Sequence, residues 1–358
     1  MKKIILDARK LNDYGIGEYI KTLFPAIATS ENFDTRIILN KNSNSISKVF
    51  GGLHKDKIIY SKYSNYTIGE HFEIPRKVSS IKDFYYFSPH YLFPYFLKNK
   101  LIVTIHDLIH FKFPSYFKPG IKVILAKQFI KKIKNSDSLV FTVSENSKTD
   151  LIEMFDFKKE NIRVIFNGIS DIFFKYKKGA NPKPFPYIMY AGNFKPHKNL
   201  IILLRAFKQI SEKYRDIRLV LAGVNSSKTL YGLINDLNIS DKVIPTGYIP
   251  VQDLIDLLDF SELFVFPSLY EGFGLPPIEA MARGKAVIST RRGSLGEVLG
   301  DASVYFDQHS DQDLSNKIEQ LLTDSNLKYE FESKGRTHAK KYTTKSMVES
   351  YLSQLRRI

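Results

Sequence analysis

Short apolar runs alternate along this chain with longer segments in which apolar residues recur at every third or fourth position. A continuous apolar run fits a strand that is buried on both faces, and the wider spacing fits a helix that covers a sheet. The alternation therefore predicts an α/β fold with parallel sheets. Strands are predicted at Ile4–Leu6, Thr35–Leu39, Phe84–Phe87, Leu101–Thr104, Ser138–Val143, Arg163–Ile165, Tyr187–Tyr190, Arg218–Ala222, Val243–Pro245, Leu263–Phe266, Ala286–Ser289 and Ser303–Phe306.

Helical spacing fills the segments between these strands. Helices are predicted at Gly17–Ala28, Ser147–Met154, Leu200–Lys213, Ser226–Leu237, Val251–Leu258 and Pro277–Ala282. The β/α series runs through the chain twice, which indicates two doubly wound, Rossmann-like domains. Residues 175–186 hold three prolines and a charged run without periodicity, and they predict an exposed linker. We therefore expect one domain over residues 1–170 and another over 171–343, with ligands in a cleft between their facing strand ends.

The composition is that of a soluble, cytoplasmic globular protein. At 358 residues the chain has room for two cores, and 43% apolar with 25% charged residues is ordinary for folded domains. Cysteine is absent, which excludes disulfides, thiolate zinc sites and cysteine nucleophiles. No apolar run reaches the ~20 residues of a membrane-spanning helix, and Asp7 and Arg9 break the N-terminal run before a signal peptide could form.

The charge balance is unusual, because 53 basic against 37 acidic residues leave a net charge of +16. Residues 1–170 hold 27 basic and 16 acidic groups, a net +11, and residues 171–358 hold 26 and 21, a net +5. Such an excess suits nucleic acid, an anionic membrane surface or a phosphorylated substrate. A generally lysine-rich proteome would produce it as well.

The first candidate motif is Tyr14-Gly15-Ile16-Gly17-Glu18-Tyr19, which follows the first predicted strand and opens a helix. Glycines there let the backbone approach a ligand, and the free N–H groups of a helix N-terminus attract an anion. The third glycine of the dinucleotide-binding fingerprint is missing. A plain turn between strand and helix explains the motif equally well.

The second motif is Gly192-Asn193-Phe194-Lys195-Pro196-His197-Lys198-Asn199-Leu200, directly after the first strand of the second series. The glycine lets the chain turn, and two lysines stand where the next helix begins. Cationic side chains beside a helix N-terminus suit a diphosphate, because charge-assisted hydrogen bonds are stronger than neutral ones. A solvated basic turn is the alternative interpretation.

The third motif, residues 266–281, is the most specific and reads Phe-Pro-Ser-Leu-Tyr-Glu-Gly-Phe-Gly-Leu-Pro-Pro-Ile-Glu-Ala-Met. Glu271 stands on a loop just past a strand end, and Glu279 is predicted in about the first turn of the following helix. A carboxylate in a glycine-rich loop can accept hydrogen bonds from sugar hydroxyls, and one near a helix start can bind a ribose diol. For Glu279, a glutamate that complements the helix dipole is the alternative.

The three motifs together resemble the retaining nucleotide-sugar glycosyltransferases of the GT-B fold, glycosyltransferase family 4, and in particular their bacterial mannosyltransferase-like branch. The resemblance covers essentially the whole chain. Further matching pieces are Val103–Leu108, Val143–Lys148, Ile165–Ile169, Thr246–Ile249, Gly293–Val298 and Asp301-Ala302. Several motifs occur in the family's order, which argues against a coincidence.

The resemblance implies a set of site residues. Glu271 would contact the hydroxyls of the donor sugar, Glu279 the ribose and Lys198 the diphosphate. His106 would lie near the transferred sugar. The remaining donor-binding residues implied are Gly15 and Gly17 over the diphosphate, Gly223, Gly247 and Tyr248 around the base, and the loop residues Gly272, Phe273, Gly274 and Leu275. Many family members carry an arginine where this chain has Asn193, so Lys195 is the candidate replacement for that cation. A lysine ammonium is a mobile point charge, whereas an arginine guanidinium is a planar group that can donate two parallel hydrogen bonds.

The local sequence around His106 leaves other interpretations open. A histidine beside Asp107 after an apolar strand can be a metal ligand, a general base or a structural histidine. No cluster with metal-ligand spacing accompanies it, and no Asp-x-Asp pair of a metal-nucleotide site lies in or beside the three motifs. We therefore expect no catalytic metal and no cofactor, with lysine and helix-end charge stabilising the leaving diphosphate.

The expected reaction is transfer of a hexose, mannose first, from a nucleotide-diphosphate sugar to an acceptor hydroxyl with retention of configuration. The resemblance places this reaction in bacterial polysaccharide or lipopolysaccharide biosynthesis, with a glycan or lipid-linked glycan as acceptor. Another GT-B reaction, nucleotide-sugar epimerisation, stays open. So does a different class, a basic nucleic-acid-binding protein, although no RNP motif, helix-turn-helix or zinc module is present.

Two further segments are predicted to be amphipathic helices. Near Thr344–Arg356, apolar residues form one stripe, and the resemblance implies that this helix, within residues 344–358, packs back on the first domain. Pro119–Asn135 has the apolar residues Val123, Leu125, Ala126, Phe129, Ile130 and Ile133 on one predicted side and Lys127, Lys131 and Lys134 on the other. It is either an ordinary surface helix or a contact with the anionic inner face of the cell membrane.

Overall fold

The computed structural model describes residues 1–13, 15–41, 49–51, 53–116, 121–175, 181 and 183–358. Tyr14 of the first motif and much of the predicted linker, residues 176–180 and 182, lie outside this range. The chain divides into two compact units. Unit 1 comprises Met1–Asn167 and Thr344–Ile358, and unit 2 comprises Gly168–Thr343.

Unit 1 is built on a seven-stranded sheet in the order β3-β2-β1-β4-β5-β6-β7, with all neighbours parallel. Its strands are β1 Lys2–Asp7, β2 Phe33–Asn40, β3 Ile58–Ser61, β4 Phe84–Ser88, β5 Lys100–Ile105, β6 Leu139–Thr142 and β7 Ile162–Val164. Its helices are α1 Ile16–Ala28, α2 Glu70–Val78, α3 Ile109–Lys112, α4 Ile121–Lys134, α5 Glu145–Phe155 and α13 Thr344–Arg356. The strand order reverses between β1 and β4, which makes this pair the topological switch point.

Unit 2 is built on a six-stranded parallel sheet in the order β10-β9-β8-β11-β12-β13. Its strands are β8 Tyr187–Ala191, β9 Arg218–Ala222, β10 Val243–Gly247, β11 Leu263–Phe266, β12 Val287–Ser289 and β13 Val304–Tyr305. Its helices are α6 Leu200–Lys213, α7 Lys228–Asp236, α8 Val251–Phe260, α9 Leu275–Ala282, α10 Leu295–Leu299, α11 Asp311–Thr323 and α12 Ser325–Ala339. Its switch point lies between β8 and β11.

Helices cover both faces of the unit 1 sheet, as the continuous apolar strands require. Successive strand residues point to opposite faces, so Ile4 and Leu6 of β1 pack in one core and Ile5 packs in the other. The doubly wound α/β fold predicted from the sequence is therefore confirmed in each unit. It places both strand-end loops, where chemistry is expected, at one edge of each sheet.

The C-terminal helix α13 packs in the core of unit 1. Met347, Tyr351 and Leu355 are buried there, with Val348 and Leu352 partly buried beside them. Since these positions recur at three- and four-residue intervals, one stripe of α13 lies against α1. Helix α13, near the end of the sequence, thus completes the core of unit 1.

Helix α4 follows the predicted amphipathic pattern only in part. Ala126, Phe129, Ile130 and Ile133 are buried, but Leu125 is 50% exposed, which corrects its predicted place on the apolar side. The reason is geometric: at about 100° per residue, Leu125 turns away from the arc of the four buried residues. Residues 119 and 120, the predicted start of this helix, lie outside the described range.

The predicted strands all correspond to observed ones, and the observed bounds differ from them by at most a few residues. One strand was missed, the four-residue edge strand β3, which pairs with β2. Among the helices, α2, α3, α10, α11 and α12 were missed. Helices α3 and α10 have only four and five residues, and each of the other three has a polar sequence or an internal proline, such as Pro75 in α2, which hides the apolar period.

Candidate active site

The candidate donor site lies at the switch point of unit 2, where the loops after β8 and β11 stand side by side. The second motif follows β8 and the third follows β11. A backbone hydrogen bond of 2.8 Å from the Leu269 N–H to the His197 carbonyl joins the two loops. The fold therefore brings together two sequence segments that are about seventy residues apart, as their positions at neighbouring strand ends predict.

At the centre of this site, Lys198 and Glu271 form an ion pair. The Lys198 Nζ lies 2.6 Å from the Glu271 Oε1, and the two side chains are only 12% and 15% exposed. Lys198 ends a short 3₁₀ turn, Pro196–Lys198, and its Nζ also lies 5.2 Å from the centre of the Phe266 ring. An ammonium and a carboxylate that lie side by side, both largely buried, can bind a sugar phosphate together. The ammonium binds the phosphate, and the carboxylate accepts a hydrogen bond from a sugar hydroxyl.

The loop that carries Glu271 is fixed through its backbone. The Ser294 hydroxyl lies 3.0 Å from both the Glu271 and the Phe273 carbonyl oxygens. Gly293 adopts a φ of +57°, and a Cβ there would stand 3.0 Å from the Glu271 backbone N and O. A side chain at position 293 would therefore push the Glu271 loop out of place. This support explains why the Gly293–Val298 piece accompanies the third motif.

Helix α9 starts two residues earlier than expected, and this corrects the position of Glu279. The helix begins at Leu275, after Gly274 at a φ of +94°, with two prolines in its first turn. Glu279 is consequently its fifth residue and lies in the second turn, where it is half-buried. Proline fits the first turn because its missing N–H would have no partner in the helix there.

The glycines predicted around the base form one compact corner of unit 2. The Gly223 N–H donates to the Gly247 carbonyl at 3.0 Å, and a Cβ at Gly223 would stand 2.8 Å from the Gly192 carbonyl oxygen. Gly223 and Gly247 have φ values of +79° and +66°. The ends of strands β8, β9 and β10 thus pack against one another through backbone atoms. The Tyr248 side chain, which follows β10, is 71% exposed.

Asn193 and Lys195, the other two candidate donor-binding residues of the second motif, both face solvent. The side chains of Asn193 and Lys195 are exposed, while the Asn193 carbonyl accepts a 3.0 Å hydrogen bond from the Tyr190 hydroxyl. Burial, with the charge of Glu271, raises the pKa of Tyr190 well above its ordinary value, so this hydroxyl stays protonated as a donor. Tyr190 gave no signal in the sequence, because a tyrosine in a buried strand looks like any other core residue.

In unit 1, His106 follows β5 and is fixed in one tautomer. Its Nε2 lies 2.9 Å from the Pro89 carbonyl oxygen, which can only accept, so the Nε2 carries the proton and the Nδ1 keeps a lone pair. Its ring packs edge-on against Tyr19 at 4.9 Å. Burial lowers the pKa of His106, and the Pro89 hydrogen bond opposes this only in part. His106 is therefore a neutral hydrogen-bond acceptor at Nδ1.

The two glycines of the first motif have different structural roles. Gly15 stands just before α1 at a φ of +67°, and a Cβ there would meet no atom within 4 Å. Gly17 is buried, and a Cβ there would lie 2.6 Å from the Leu11 carbonyl oxygen. Gly17 is thus required for packing α1 against the turn after β1, and Gly15 for the conformation of the turn itself.

Two features are absent from the described ranges, which are residues 1–41, 49–116, 121–175 and 181–358 with their single-residue gaps. No group of three His, Asp or Glu side chains there is placed to hold a metal ion. None of the helices in those ranges combines the length and the apolar character needed to cross a membrane.

Comparison with known proteins connects this geometry to a family. Residues 171–338 match the family model described as glycosyl transferases group 1, and residues 81–171 match the model of glycosyltransferase family 4. The chain is 29% identical over 274 residues to the O-antigen chain mannosyltransferase B of Escherichia coli, covering 73% of this chain and 71% of that protein. It is 31% identical over 229 residues to the O-antigen chain mannosyltransferase RfbU of Salmonella typhimurium, covering 63% and 62% of the two.

Solved structures give the same fold. HepE of Anabaena, in complex with UDP, superposes with a TM-score of 0.78 at 16% identity, covering 100% of both chains. The sucrose-phosphate synthase of Thermosynechococcus elongatus superposes with a TM-score of 0.75 at 19% identity, covering 100% of this chain and 98% of that one. The two family models together span residues 81–338 and both describe sugar-transferring enzymes, so the chain is a glycosyltransferase of the GT-B fold that is similar to family 4.

Proposed function

We propose that this glycosyltransferase transfers a hexose, mannose first, from a nucleotide-diphosphate sugar to an acceptor hydroxyl of a bacterial polysaccharide or lipopolysaccharide, with retention of configuration. The observation that carries the proposal is the sheltered Lys198–Glu271 pair at the switch point of unit 2. The mannosyltransferase relatives support the sugar and the polysaccharide. Neighbouring structures that hold UDP or UDP-glucose support a nucleotide-sugar donor in general.

In the proposed binding mode, Lys198 leaves Glu271 and takes the diphosphate. The freed Glu271 carboxylate then accepts hydrogen bonds from hydroxyls of the transferred sugar. Glu279 is proposed to bind the ribose diol and the Gly223 and Gly247 backbone the base. Because the pair is largely sheltered from water, its charges act more strongly on the ligand than they would at the surface.

The proposed chemical step needs no nucleophile from the protein. The bond between the anomeric carbon and the phosphate oxygen breaks, and the acceptor oxygen forms its bond to that carbon on the same face. The proton of the acceptor hydroxyl passes to the departing phosphate oxygen, so the products are a glycoside and the nucleoside diphosphate. Lys198 stabilises the negative charge that develops on the leaving group, and the lone pair of His106 Nδ1 holds a sugar hydroxyl.

A donor screen tests this proposal. Binding and slow hydrolysis of GDP-, UDP-, ADP- and dTDP-sugars are compared, and the product is analysed with candidate glycan acceptors. Thermal stabilisation by GDP-mannose and formation of an α-mannoside are the expected results. An epimerised donor without glycoside would favour the epimerase reaction, and salt-sensitive oligonucleotide binding without any donor binding would favour the nucleic-acid protein.

We further propose that unit 1 docks on the anionic inner face of the cell membrane, where lipid-linked acceptors are held. Lys127 and Lys131 are exposed on α4, one turn apart. Lys134 contributes less than expected from the sequence, because its Nζ lies 2.7 Å from Asp156 Oδ2. Elsewhere in unit 1, Phe72 and Phe96 are 61% and 52% exposed, with ring centres 4.8 Å apart, and exposed aromatic rings are typical of surfaces that meet a bilayer.

A further inference from the structure

The ammonium group of Lys198 lies against an aromatic ring as well as against Glu271. Its Nζ donates a 2.6 Å hydrogen bond to Glu271 Oε1 and lies 5.2 Å from the centre of the Phe266 ring. Phe266 is the last residue of β11 and is fully buried, and the Lys198 side chain is only 12% exposed. An ammonium within about 6 Å of a ring centre is attracted by the negative face of the ring, most strongly where water is excluded.

The Phe266 ring is held in place by two neighbouring rings. The Tyr190 ring lies nearly parallel to it, at 16° with 6.0 Å between the ring centres, and the Phe264 ring lies at 18° with 6.3 Å between the centres. Both neighbours are fully buried, and the Tyr190 hydroxyl donates a 3.0 Å hydrogen bond to the Asn193 carbonyl. Since closely packed core rings keep one orientation on average, Phe266 presents a fixed surface to Lys198.

Lys198 needs a contact that persists when the donor binds. In the proposed binding mode, its ammonium leaves Glu271 for the diphosphate, so the hydrogen bond that orients it in the free chain is lost. A lysine side chain is flexible and its ammonium is strongly hydrated, so an ammonium without another contact would turn towards water. The Phe266 ring exchanges no hydrogen bond in this step. Its contact with the ammonium can therefore last through the transfer.

We propose that Phe266 is a positioning residue for the donor diphosphate, because the face of its ring holds the Lys198 ammonium in the site while that ammonium passes from Glu271 to the phosphates. This role rests on the proposed function. Because the ring is fully buried, it acts through Lys198 and not by contact with the donor. All the residues involved belong to unit 2.

A fluorination series in the full chain tests the contact directly. Phe266 is replaced in turn by mono-, di- and trifluorinated phenylalanine, since each fluorine makes the ring face less negative and changes the shape of the ring little. The probes are GDP, UDP, ADP and dTDP with their nucleosides, and calorimetry measures their affinities. Diphosphate affinity should fall with every added fluorine, to a total loss of about two- to thirtyfold, while nucleoside affinity stays unchanged. A diphosphate affinity that does not change along the series would overturn the proposal.

The same series at Phe264 is the matched control. Phe264 is also fully buried and stacks on Phe266, but no lysine or arginine in the described part of the chain lies over its ring. Fluorination there should leave the diphosphate affinity unchanged, and melting temperatures report any loss of packing in either series. An equal loss of affinity at both positions would trace the effect to core packing and contradict a specific role for Phe266.

Coupling to Lys198 separates positioning from a general effect on the site. Fluorine also alters the stacking of Phe266 on its neighbours, so the series is repeated in the Lys198→Ala chain. If the ring acts only through the ammonium, the lowered diphosphate affinity of this chain should no longer depend on the number of fluorines. A loss of the same size with and without Lys198 would mean that Phe266 shapes the pocket by itself, and the positioning role would be wrong.

The possible failures are distinguishable. If the wild-type chain binds one of the four diphosphates and Lys198→Ala weakens that binding, a flat fluorine series overturns the role of Phe266 alone. If the wild-type chain binds none of the four, the proposed function fails and the role of Phe266 fails with it. Should the trifluorinated chain not fold, the mono- and difluorinated chains still show whether affinity falls with each fluorine.

Discussion

Glu271 is the residue whose loss should separate catalysis from folding most clearly. Its carboxylate is paired with Lys198 and its support comes through the backbone, so Glu271→Ala leaves the core of unit 2 intact. Transfer should fall by about a hundred- to a thousandfold, the scale of losing one preorganised electrostatic contact. Steady-state activity and melting temperature are measured together. Glu330→Ala, which breaks a more exposed Glu–Lys pair, is the control, and full activity in folded Glu271→Ala would remove Glu271 from the site.

Lys198 should act on the phosphates and on nothing else in the donor. Lys198→Ala removes a charge-assisted contact worth about 1.5–3 kcal/mol and leaves the Glu271 carboxylate to repel the diphosphate. Calorimetry should therefore show a ten- to hundredfold weaker affinity for the nucleoside diphosphate, with little change for the nucleoside. An equal loss for both ligands would mean that Lys198 shapes the pocket instead of binding phosphate. Lys195→Ala, which removes an exposed cation from the same turn, should have a smaller effect.

The pairing at the centre of the candidate donor site could be predicted at the residue scale, because Lys198 and Glu271 each come with a local pattern. Both follow buried strands on glycine-containing turns, and adjacent parallel strands bring such turns together. The part played by Tyr190 could not be predicted. Its hydroxyl holds the Asn193 carbonyl, and this contact depends on three-dimensional packing.

At the scale of elements, α13 should contribute strongly to the stability of unit 1. Tyr351 is fully buried among Tyr19, Phe87 and Phe141, so Tyr351→Ala should lower the unfolding free energy by about 3–5 kcal/mol. The measurement is thermal unfolding, and the exposed Glu349→Ala on the same helix is the control. Removing the residues after Lys345 should lower the stability further. An unchanged melting curve in the truncated chain would show that α13 is not needed for folding.

The elements that the sequence pattern missed share a physical reason. The β3 strand has only four residues between Lys57 and Lys62, and it forms because β2 offers a free edge. Helix α2 contains Pro75 and buries only Glu70, Ile74 and Val78. Long apolar strands and helices with a wide apolar stripe carry their signal in the local sequence, whereas short edge elements depend on neighbours distant in sequence.

For the whole molecule, the charge at the donor site predicts independence from added metal. In the proposed binding mode, Lys198 provides a cation at the diphosphate, which is the role a magnesium ion would otherwise fill. Transfer should therefore persist in excess chelator, as measured by product formation with and without it. Strict dependence on magnesium or manganese, with activity lost on chelation and recovered on adding the ion back, would contradict the proposed diphosphate site.

The positive charge of the first half of the chain is the basis of the proposed membrane docking. Each lysine near an anionic leaflet contributes about 1 kcal/mol within a Debye length of ~8–10 Å, so a few of them give reversible docking without insertion. Lys127 and Lys131, both exposed on α4, are the residues proposed to meet this requirement. We expect the chain to co-sediment with anionic vesicles, not with neutral ones, and to dissociate at high salt.

Charge reversal on α4 tests whether this surface, and not net charge alone, is responsible. Lys127→Glu with Lys131→Glu should abolish vesicle binding and spare transfer to a soluble acceptor analogue, because neither side chain is in the candidate site. Lys340→Glu with Lys341→Glu makes the same change of charge on exposed residues of unit 2 and should leave binding almost unchanged. Equal loss in both double variants would trace binding to the overall charge. Binding to neutral vesicles as strong as to anionic ones would contradict an electrostatic attachment, since uncharged lipid offers the lysines no counter-charge.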